Sequence, residues 1–198
     1  FSRIAPGLGF RYSYEPDYGV DSAQFARALE GQACSFRSGN QVTLLNNGDE
    51  IFPAILADLA AARSSINMEQ YLFTAGQLSE KIVAVLTERA RAGVAVRVLV
   101  DDVGDRLGAL KEGMRSAGVS VKDYKPVRLY ALHRLGDRTH RRIITVDGRI
   151  AYVGGFAFDD RWLGDAKTPE EWRDMAVRIA GPVVTQIQRV FMEDWVHT

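Results

Sequence analysis

The chain has 198 residues, of which 46% are hydrophobic, 25% charged and 10% aromatic, and its 25 Lys and Arg residues balance its 25 Asp and Glu residues. This composition excludes a disordered, collagen-like or disulfide-scaffold protein, and the length is enough for one domain with its own core, with or without an extension. The zero net charge gives no overall sign of nucleic-acid binding, although a local basic patch is compatible with it, and no apolar run approaches the roughly 18 residues of a membrane span.

The first 39 residues differ from the rest of the chain. They contain Pro6, Pro16, several glycines and three tyrosines, and their only helical pattern covers residues 22–29. This combination predicts an arm at 1–39 that lies on a domain formed by residues 40–198.

From residue 40 onward, strand and helix patterns alternate. The spacing of apolar residues predicts, in chain order, a strand at 41–45, a helix at 47–63, a strand at 65–73, a helix at 78–92, a strand at 94–101, a helix at 107–117 and a strand at 119–124. After a loop, the pattern continues with a β-hairpin at 142–154 around the Asp147-Gly148 turn, a strand at 175–179 and a helix at 183–195. The alternation predicts an α/β fold, with a mixed central β-sheet flanked by helices on both faces.

The loop at 125–141 is rich in positive charge. Together with Arg142 it holds six Lys or Arg residues against one acid, Asp137, and it contains His133 and His140. Such a run of charges is typical of a solvated loop. Beside a phosphate-binding site the same charges would attract an anionic lipid surface or a nucleic-acid backbone, so the pattern leaves both interpretations open.

His140 and Arg142 stand two positions apart at the start of the predicted hairpin, so their side chains project from the same face of the strand. An imidazole can attack phosphorus or donate a proton, and a guanidinium can hold the non-bridging oxygens of a phosphate. Gly154 and Gly155 end the partner strand, where backbone amides can approach a phosphate closely. These residue types, in this order, suit phosphate chemistry.

The motif His140-x-Arg142-x4-Asp147-x6-Gly154-Gly155 resembles the H-x-K-x4-D-x6-G-[GS]-x-N signature of the phospholipase D superfamily. The blocks around it are similar to the first half of bacterial cardiolipin synthases and their phospholipase D-like relatives; they include GNQVTLLNNGDEIF, EQYLF, ARAGVAVRVLVDDVG, WRDMAVRIAGPVV and VFMEDW. The resemblance runs from residue 40 to residue 198. It implies one phospholipase D-type half-domain that transfers a phosphatidyl or phosphoryl group in two steps, with no metal or other cofactor.

The resemblance also implies a role for each matching residue. His140 would form a phosphohistidine or act as the general acid for the leaving group, and Arg142 would bind phosphate at the position of the signature lysine. Asp147 would be mainly structural. Asp174, in the block WRDMAVRIAGPVV, matches the carboxylate that hydrogen-bonds to the histidine and orients it.

Two positions depart from the signature. Arg142 replaces lysine, which keeps the charge but places it on a bulkier, planar group. Ala157 stands where the signature has asparagine, which removes a hydrogen-bond donor to phosphate. Each change would lower activity, and together they leave open a degenerate half that binds its ligand without catalysis.

The active site of this superfamily needs two such motifs, and the chain carries one. The second half would come from another copy in a symmetric homodimer or from a C-terminal half that this sequence lacks. Because the chain begins at Phe1 and matches a first half, we expect it to be a fragment of a longer two-motif protein.

Two further residues are candidates for the site. Glu69 lies mid-strand among apolar residues, where an unpaired carboxylate is costly, so it either pairs with an arginine or faces the site. His133, in the basic loop, either faces solvent or contacts a phosphate or headgroup at the lip of the site.

The sequence favours phosphodiester transfer or hydrolysis on phospholipid, by a cardiolipin synthase-like phosphatidyltransferase or a phospholipase D. One alternative is a homodimeric phospholipase D-family nuclease or phosphodiesterase. Another is a non-catalytic half that binds anionic headgroups or supports a partner domain. The expected location is cytoplasmic or peripheral to a membrane.

Overall fold

The computed structural model describes residues 18–32, 35–124 and 139–198. The chain forms two compact units, Phe1–Phe36 and Arg37–Thr198. In the first unit, helix α1 (Ala23–Gln32) begins after Ser22, whose hydroxyl accepts a hydrogen bond from the Phe25 amide at 3.1 Å. This contact satisfies one of the free amides of the first turn, so the predicted helix at 22–29 is present. The predicted loop at 125–141, with His133, lies almost entirely outside the described residues.

The second unit is built around a seven-stranded sheet in the order β1-β9-β8-β7-β2-β4-β6. Its strands are β1 (Gln41–Asn46), β2 (Ser65–Gln70), β4 (Ala95–Asp101), β6 (Ser120–Tyr124), β7 (Ile143–Val146), β8 (Ile150–Gly154) and β9 (Met175–Ala180). Strands β2, β4 and β6 are parallel, and every other neighbouring pair is antiparallel. Two short strands, β3 (Phe73–Thr74) and β5 (Asp105–Arg106), pair with each other beside this sheet.

Four helices cover the two faces of the sheet: α2 (Asn47–Ala60), α3 (Gln77–Arg91), α4 (Ala109–Ser116) and α5 (Val184–Val196). Strand alternation sends Ile66 and Met68 of β2 toward α2 and α3, where they join the main hydrophobic core. Asn67 and Glu69 point to the opposite face, which α5 covers by packing on β2, β7 and β8. The mixed sheet with helices on both faces is therefore confirmed.

Strand β2 is shorter than predicted. The sequence predicts one strand over 65–73, but the ladder stops at Gln70 and the chain resumes pairing only at Phe73. The reason is Gly104, which lies so close to Tyr71 that an added Cβ would sit 1.7 Å from the Tyr71 carbonyl oxygen. The loop after β4 thus displaces the backbone at Tyr71, and it places that ring at the edge of the sheet where β2 and β4 end.

The predicted hairpin is confirmed as β7 and β8. Asp147 and Gly148, with φ values of 52° and 63°, both adopt the left-handed conformation, and they form a tight turn across which the Arg149 amide donates to the Val146 carbonyl oxygen at 3.0 Å. Aspartate is among the few residues that enter this region readily, and glycine does so at no steric cost.

Among the described residues, no helix combines the length and the apolar character needed to cross a membrane.

Candidate active site

The site predicted from the sequence lies at one edge of the sheet. Parallel strands β2 and β4 end at this edge, β8 also ends there, and β7 and β9 begin there. His140 and Arg142 precede β7, whereas Asp174 directly precedes β9. Five chain segments that are distant in sequence therefore deliver their terminal side chains to one place.

His140 and Arg142 share a platform, the ring of Tyr71. The exposed His140 imidazole stacks on it with the ring centroids 4.0 Å apart and the planes inclined by 31°. The Arg142 guanidinium carbon lies 5.8 Å from the centre of the same ring, and its Nη1 donates to the His140 carbonyl oxygen at 3.4 Å. The imidazole and the guanidinium are therefore held close together, the histidine exposed and the arginine half-buried.

Burial lowers the pKa of Arg142. The negative charge of Asp174 acts to raise this pKa, and Tyr71 adds a smaller effect in the same direction. Arginine stays protonated at any physiological pH, so the site keeps a fixed positive charge beside His140. Arg142 Nε is buried and has no hydrogen-bond partner among the described residues. A phosphate oxygen that reached this nitrogen would supply the acceptor that the described residues do not provide.

Asp174 is held by two groups of its own chain. The indole Nε1 of Trp162 donates to its Oδ2 at 2.8 Å, and the amide of Met175 donates to its Oδ1 at 2.7 Å. Among the described residues, its side-chain hydrogen bonds go to these donors and not to His140. The orienting role of Asp174 toward His140 therefore stays a prediction.

The glycine pair leaves room that any side chain would fill. A Cβ on Gly154 would lie 2.6 Å from the Met175 carbonyl oxygen, and a Cβ on Gly155 would lie 2.7 Å from Asp174 Oδ1. Both positions therefore permit a close approach between the end of β8 and the start of β9. Their role as the lining of a phosphate pocket stays a prediction.

Asp147 lies at the opposite end of β7 from His140. Its carboxylate accepts hydrogen bonds from the amides of Arg63, Ser64 and Ser65 and from the Ser64 hydroxyl, at 2.7–3.2 Å. Burial acts to raise its pKa, but these four donor groups outweigh it and lower the pKa to about 2. These contacts bind the hairpin to the segment between α2 and β2. Because this segment is bound to Asp147, α2 ends at Ala60, three residues before the predicted end at residue 63.

Glu69 lies on the opposite face of β2 from the guanidinium of Arg142. Glu69 pairs with Ile143, and paired residues point to the same face of the sheet. Side chains alternate along the strand, so the two neighbours of Ile143, Arg142 and Ile144, point to the other face, which is the face of the main core. Its carboxylate is fully buried and accepts a hydrogen bond from the Thr139 hydroxyl, one residue before His140.

Sequence reasoning did not identify Tyr71, Trp162 or Thr139 as parts of the site. Tyr71 was predicted to lie inside a strand, and the close approach of Gly104 that moves it is a contact between distant segments. The Trp162 bond to Asp174 spans a loop without periodicity. Thr139 carried one usable signal, because it directly precedes the motif histidine.

The chain matches known proteins over most of its length. The family model described as cardiolipin synthase, PLD-like domain, covers residues 55–195. A cardiolipin synthase of Geobacillus kaustophilus is 37% identical over 80% of this chain, and the major cardiolipin synthase of Bacillus subtilis is 34% identical over 81% of it. The matched region amounts to 32% and 34% of those two proteins, so the chain spans about a third of their length.

Two solved structures share the fold. A phospholipase D family member, Nuc, from Salmonella typhimurium superimposes with a TM-score of 0.61 and 19% identity, over 79% of this chain and 95% of that one. NucT from Helicobacter pylori gives a TM-score of 0.61 and 11% identity, over 79% and 96% of the respective chains. At these identities the likeness concerns the fold alone. The matched region accounts for 95% of the Nuc chain and 96% of the NucT chain.

Proposed function

The chain belongs to the phospholipase D superfamily, within the cardiolipin synthase, PLD-like domain family, and we propose that it performs phosphodiester transfer or hydrolysis through a phosphohistidine at His140. Phospholipid is the substrate class we favour, because the relatives of highest identity named above are cardiolipin synthases. The observation that carries the proposal is the exposed imidazole of His140, stacked on Tyr71 beside a guanidinium with a free buried donor. We also propose that residues 40–198 are the domain that carries this activity and that residues 1–39 are an arm.

In the first step, a ring nitrogen of His140 attacks the phosphorus. A P–N bond forms while the P–O bond to the leaving alcohol breaks, and a general acid supplies the proton that the alcohol takes away. In the second step, an alcohol or water attacks the phosphorus, loses its proton to a base, and the P–N bond breaks. Transfer and hydrolysis therefore differ only in the second nucleophile.

Arg142 neutralises the phosphoryl oxygens during both steps. Its planar fork suits two oxygens at once, whereas a lysine would present a single point charge. Asp174 lies close enough to Arg142 to affect its pKa, so it also limits the positive charge at the site. With Ala157 at the asparagine position, we expect the arginine fork to be the main side-chain contact to phosphate.

The general acid belongs to a second half of the same fold, because phospholipase D-family enzymes commonly pair two half-domains. We propose that this half docks on an apolar sheet face formed by Val42, Leu44, Val153 and Met175. These side chains are 59%, 58%, 37% and 50% exposed, and the strand register puts all of them on the same face of the sheet as Glu69, on the part of that face that α5 does not cover. This face is on the Glu69 side of the sheet and reaches the site at the strand ends, where Met175 follows Asp174 and Val153 precedes the glycine pair.

Replacing Leu44 with aspartate is expected to abolish self-association, because the charge would be desolvated within the apolar sheet face. Light scattering on a sizing column should give twice the monomer mass for the unmodified chain and the monomer mass for Leu44→Asp. Lys81→Asp, on the exposed side of α3, is the matched control and should leave the dimer intact. If the unmodified chain is monomeric, the second half comes from a separate polypeptide segment. If Leu44→Asp still forms dimers, the proposed surface is wrong.

Phosphorylation of the chain by an activated diester tests the function directly. A p-nitrophenyl phosphodiester has a leaving group that needs no protonation, so one half-site is sufficient for the first step. We expect a burst of p-nitrophenolate, up to one equivalent, and an acid-labile adduct that mass spectrometry locates on His140. The absence of both would favour the non-catalytic alternative.

Two natural substrate classes separate the lipid function from the nuclease alternative. Phosphatidylglycerol vesicles should be turned over, with cardiolipin or phosphatidic acid as the product. Cleavage of single-stranded DNA with a steep dependence on salt would favour the nuclease instead. Binding to anionic vesicles, measured by sedimentation, would support the proposed peripheral membrane location.

A further inference from the structure

Three buried polar residues lie behind the segment that carries His140. Glu69 at the end of β2 and Asp101 at the end of β4 are fully buried, and Thr139 is 4% exposed. The Thr139 hydroxyl donates to Glu69 Oε1, and the Thr139 amide donates to Asp101 Oδ2 at 3.2 Å. We call these three residues the Thr139 clamp.

The clamp fixes the backbone on both sides of His140. Besides its own two bonds, Thr139 accepts a hydrogen bond at its hydroxyl from the Arg141 amide at 3.3 Å. The Arg141 guanidinium is paired with Asp194 of α5. Residues 139 and 141 are therefore tied to β2, β4 and α5, while the side chain of His140 between them is left against Tyr71.

From this arrangement we infer that the Thr139 clamp positions the His140 imidazole, and that Glu69 makes this positioning sensitive to pH. The inference rests on the proposed function only in taking His140 as the reactive group. Glu69 touches neither substrate nor the imidazole, so it is a positioning residue. Neither His140 nor Arg142 is replaced in its test.

The pH sensitivity follows from the surroundings of Glu69. Burial is the main factor that raises its pKa, to about 8; the hydrogen bond from Thr139 and the charge of Arg141 lower it, and the charge of Asp194 raises it further. Among the described residues, the charged groups around it are Asp101 from β4, Asp194 from α5 and Arg141 from the clamped segment, while β7 contributes the uncharged Ile143 and Thr145. Arg97, further back on β4, hydrogen-bonds to Asn67.

Loss of the Glu69 proton would place a new negative charge beside Asp101 and Asp194 in a site closed to water. Among the described residues that act on Glu69, Arg141 is the cation, and it is already paired with Asp194. We therefore expect the segment at 139–141 to loosen as the pH rises through about 8, and the environment of the His140 ring to change with it.

The first test follows the ring of His140 by NMR in the full chain labelled at its three histidines. The His140 signal should show an inflection near pH 8 that Glu69→Gln removes, because glutamine still accepts the Thr139 hydrogen bond but cannot ionise. His197, at the end of α5, serves as the internal reference and should lack the effect. An inflection that persists in Glu69→Gln, or its absence from the unmodified chain, overturns the inference.

The second test compares two buried threonines on the same face of the sheet. Thr139→Val removes the clamp hydroxyl, whereas Thr145→Val removes a hydroxyl that binds Asn67 at 3.1 Å, away from His140. Both variants should lower Tm, but only Thr139→Val should shift and broaden the His140 signal, and Thr139→Ser should restore it. Equal effects of Thr139→Val and Thr145→Val on the His140 signal would show that Thr139 has a merely structural role. If Thr139→Val does not fold, the pH titration of Glu69→Gln alone tests the inference.

Neither measurement requires turnover. A chain that shows the pH 8 inflection and no phosphohistidine would contradict the proposed function and leave the clamp standing. A chain that forms the phosphohistidine and shows no inflection would do the opposite.

Discussion

Alanine in place of His140 is expected to lower the turnover of a phosphodiester, by the chain paired with its second half, by about 10⁴-fold or more. The imidazole supplies the bond to phosphorus, and no other described histidine lies near Arg142 to replace it. The decrease should be in kcat, with a smaller change in KM, because Arg142 still holds the phosphate. The measurement is the steady-state rate on phosphatidylglycerol vesicles and on a p-nitrophenyl diester.

His197→Ala is the matched control for this prediction. His197 lies at the end of α5, where its Nδ1 is 2.5 Å from the Glu193 carbonyl oxygen, and it has no motif around it. We expect its rate to stay within about two-fold of the unmodified chain, as for a surface change away from the reacting groups. A rate for His140→Ala that approaches the rate of the control would contradict the assignment of His140 as the nucleophile or acid.

Alanine in place of Asp147 is expected to lower the free energy of unfolding by about 3 kcal/mol or more, because three backbone amides lose a charged acceptor. Alanine also tolerates the left-handed turn conformation poorly, which adds to the loss. Asp147→Asn keeps the turn and one carbonyl acceptor, so its loss should be smaller. Urea unfolding measures the free energy of unfolding of both variants. The control is Asp49→Ala, which replaces an exposed acid in the first turn of α2 and should lower this free energy by no more than about 1 kcal/mol.

The same carboxylate predicts a pH dependence with a definite sign. The pKa of Asp147 is about 2 in the folded chain against an ordinary value of 3.8, so the folded state binds this proton less tightly than the unfolded state does. Its contribution is fully present above about pH 3.8 and is lost as the pH falls toward about 2. The acid limb of stability should therefore be shallower in Asp147→Asn, and an unchanged limb would mean that other carboxylates control acid unfolding.

Glu69 has the opposite sign. Its pKa is raised from 4.5 to about 8, so the folded state retains a proton that the unfolded state has lost, and stability should fall as the pH rises between these values. The slope for one such proton is about 1.4 kcal/mol per pH unit at most. Glu69→Gln should flatten this part of the stability profile, in addition to its effect on the His140 signal.

Local patterns predicted the regular elements well. The buried strand at 94–101 and the helix at 78–92 appear within one residue of their predicted limits, because a continuous apolar run and a three-four spacing are properties of the segments themselves. The hairpin turn was also local, since few residue pairs other than Asp-Gly adopt two consecutive left-handed conformations easily. Errors arose where a distant segment intervenes: Gly104 ends β2 before Tyr71, and Asp147 binds the residues just after α2.

The family, the α/β fold and the motif residues can be predicted from the amino-acid sequence, because they depend on residue type and spacing along the chain. Three contacts appear only in the folded chain: Tyr71 supports both His140 and Arg142, Trp162 binds Asp174, and Thr139 binds Glu69 on the opposite face of β2 from Arg142. Each of these contacts joins segments that are between 12 and 71 positions apart, through side chains whose environment is set by packing. Burial and neighbouring charge, which set the pKa values of Asp147 and Glu69, exist only after the chain has folded.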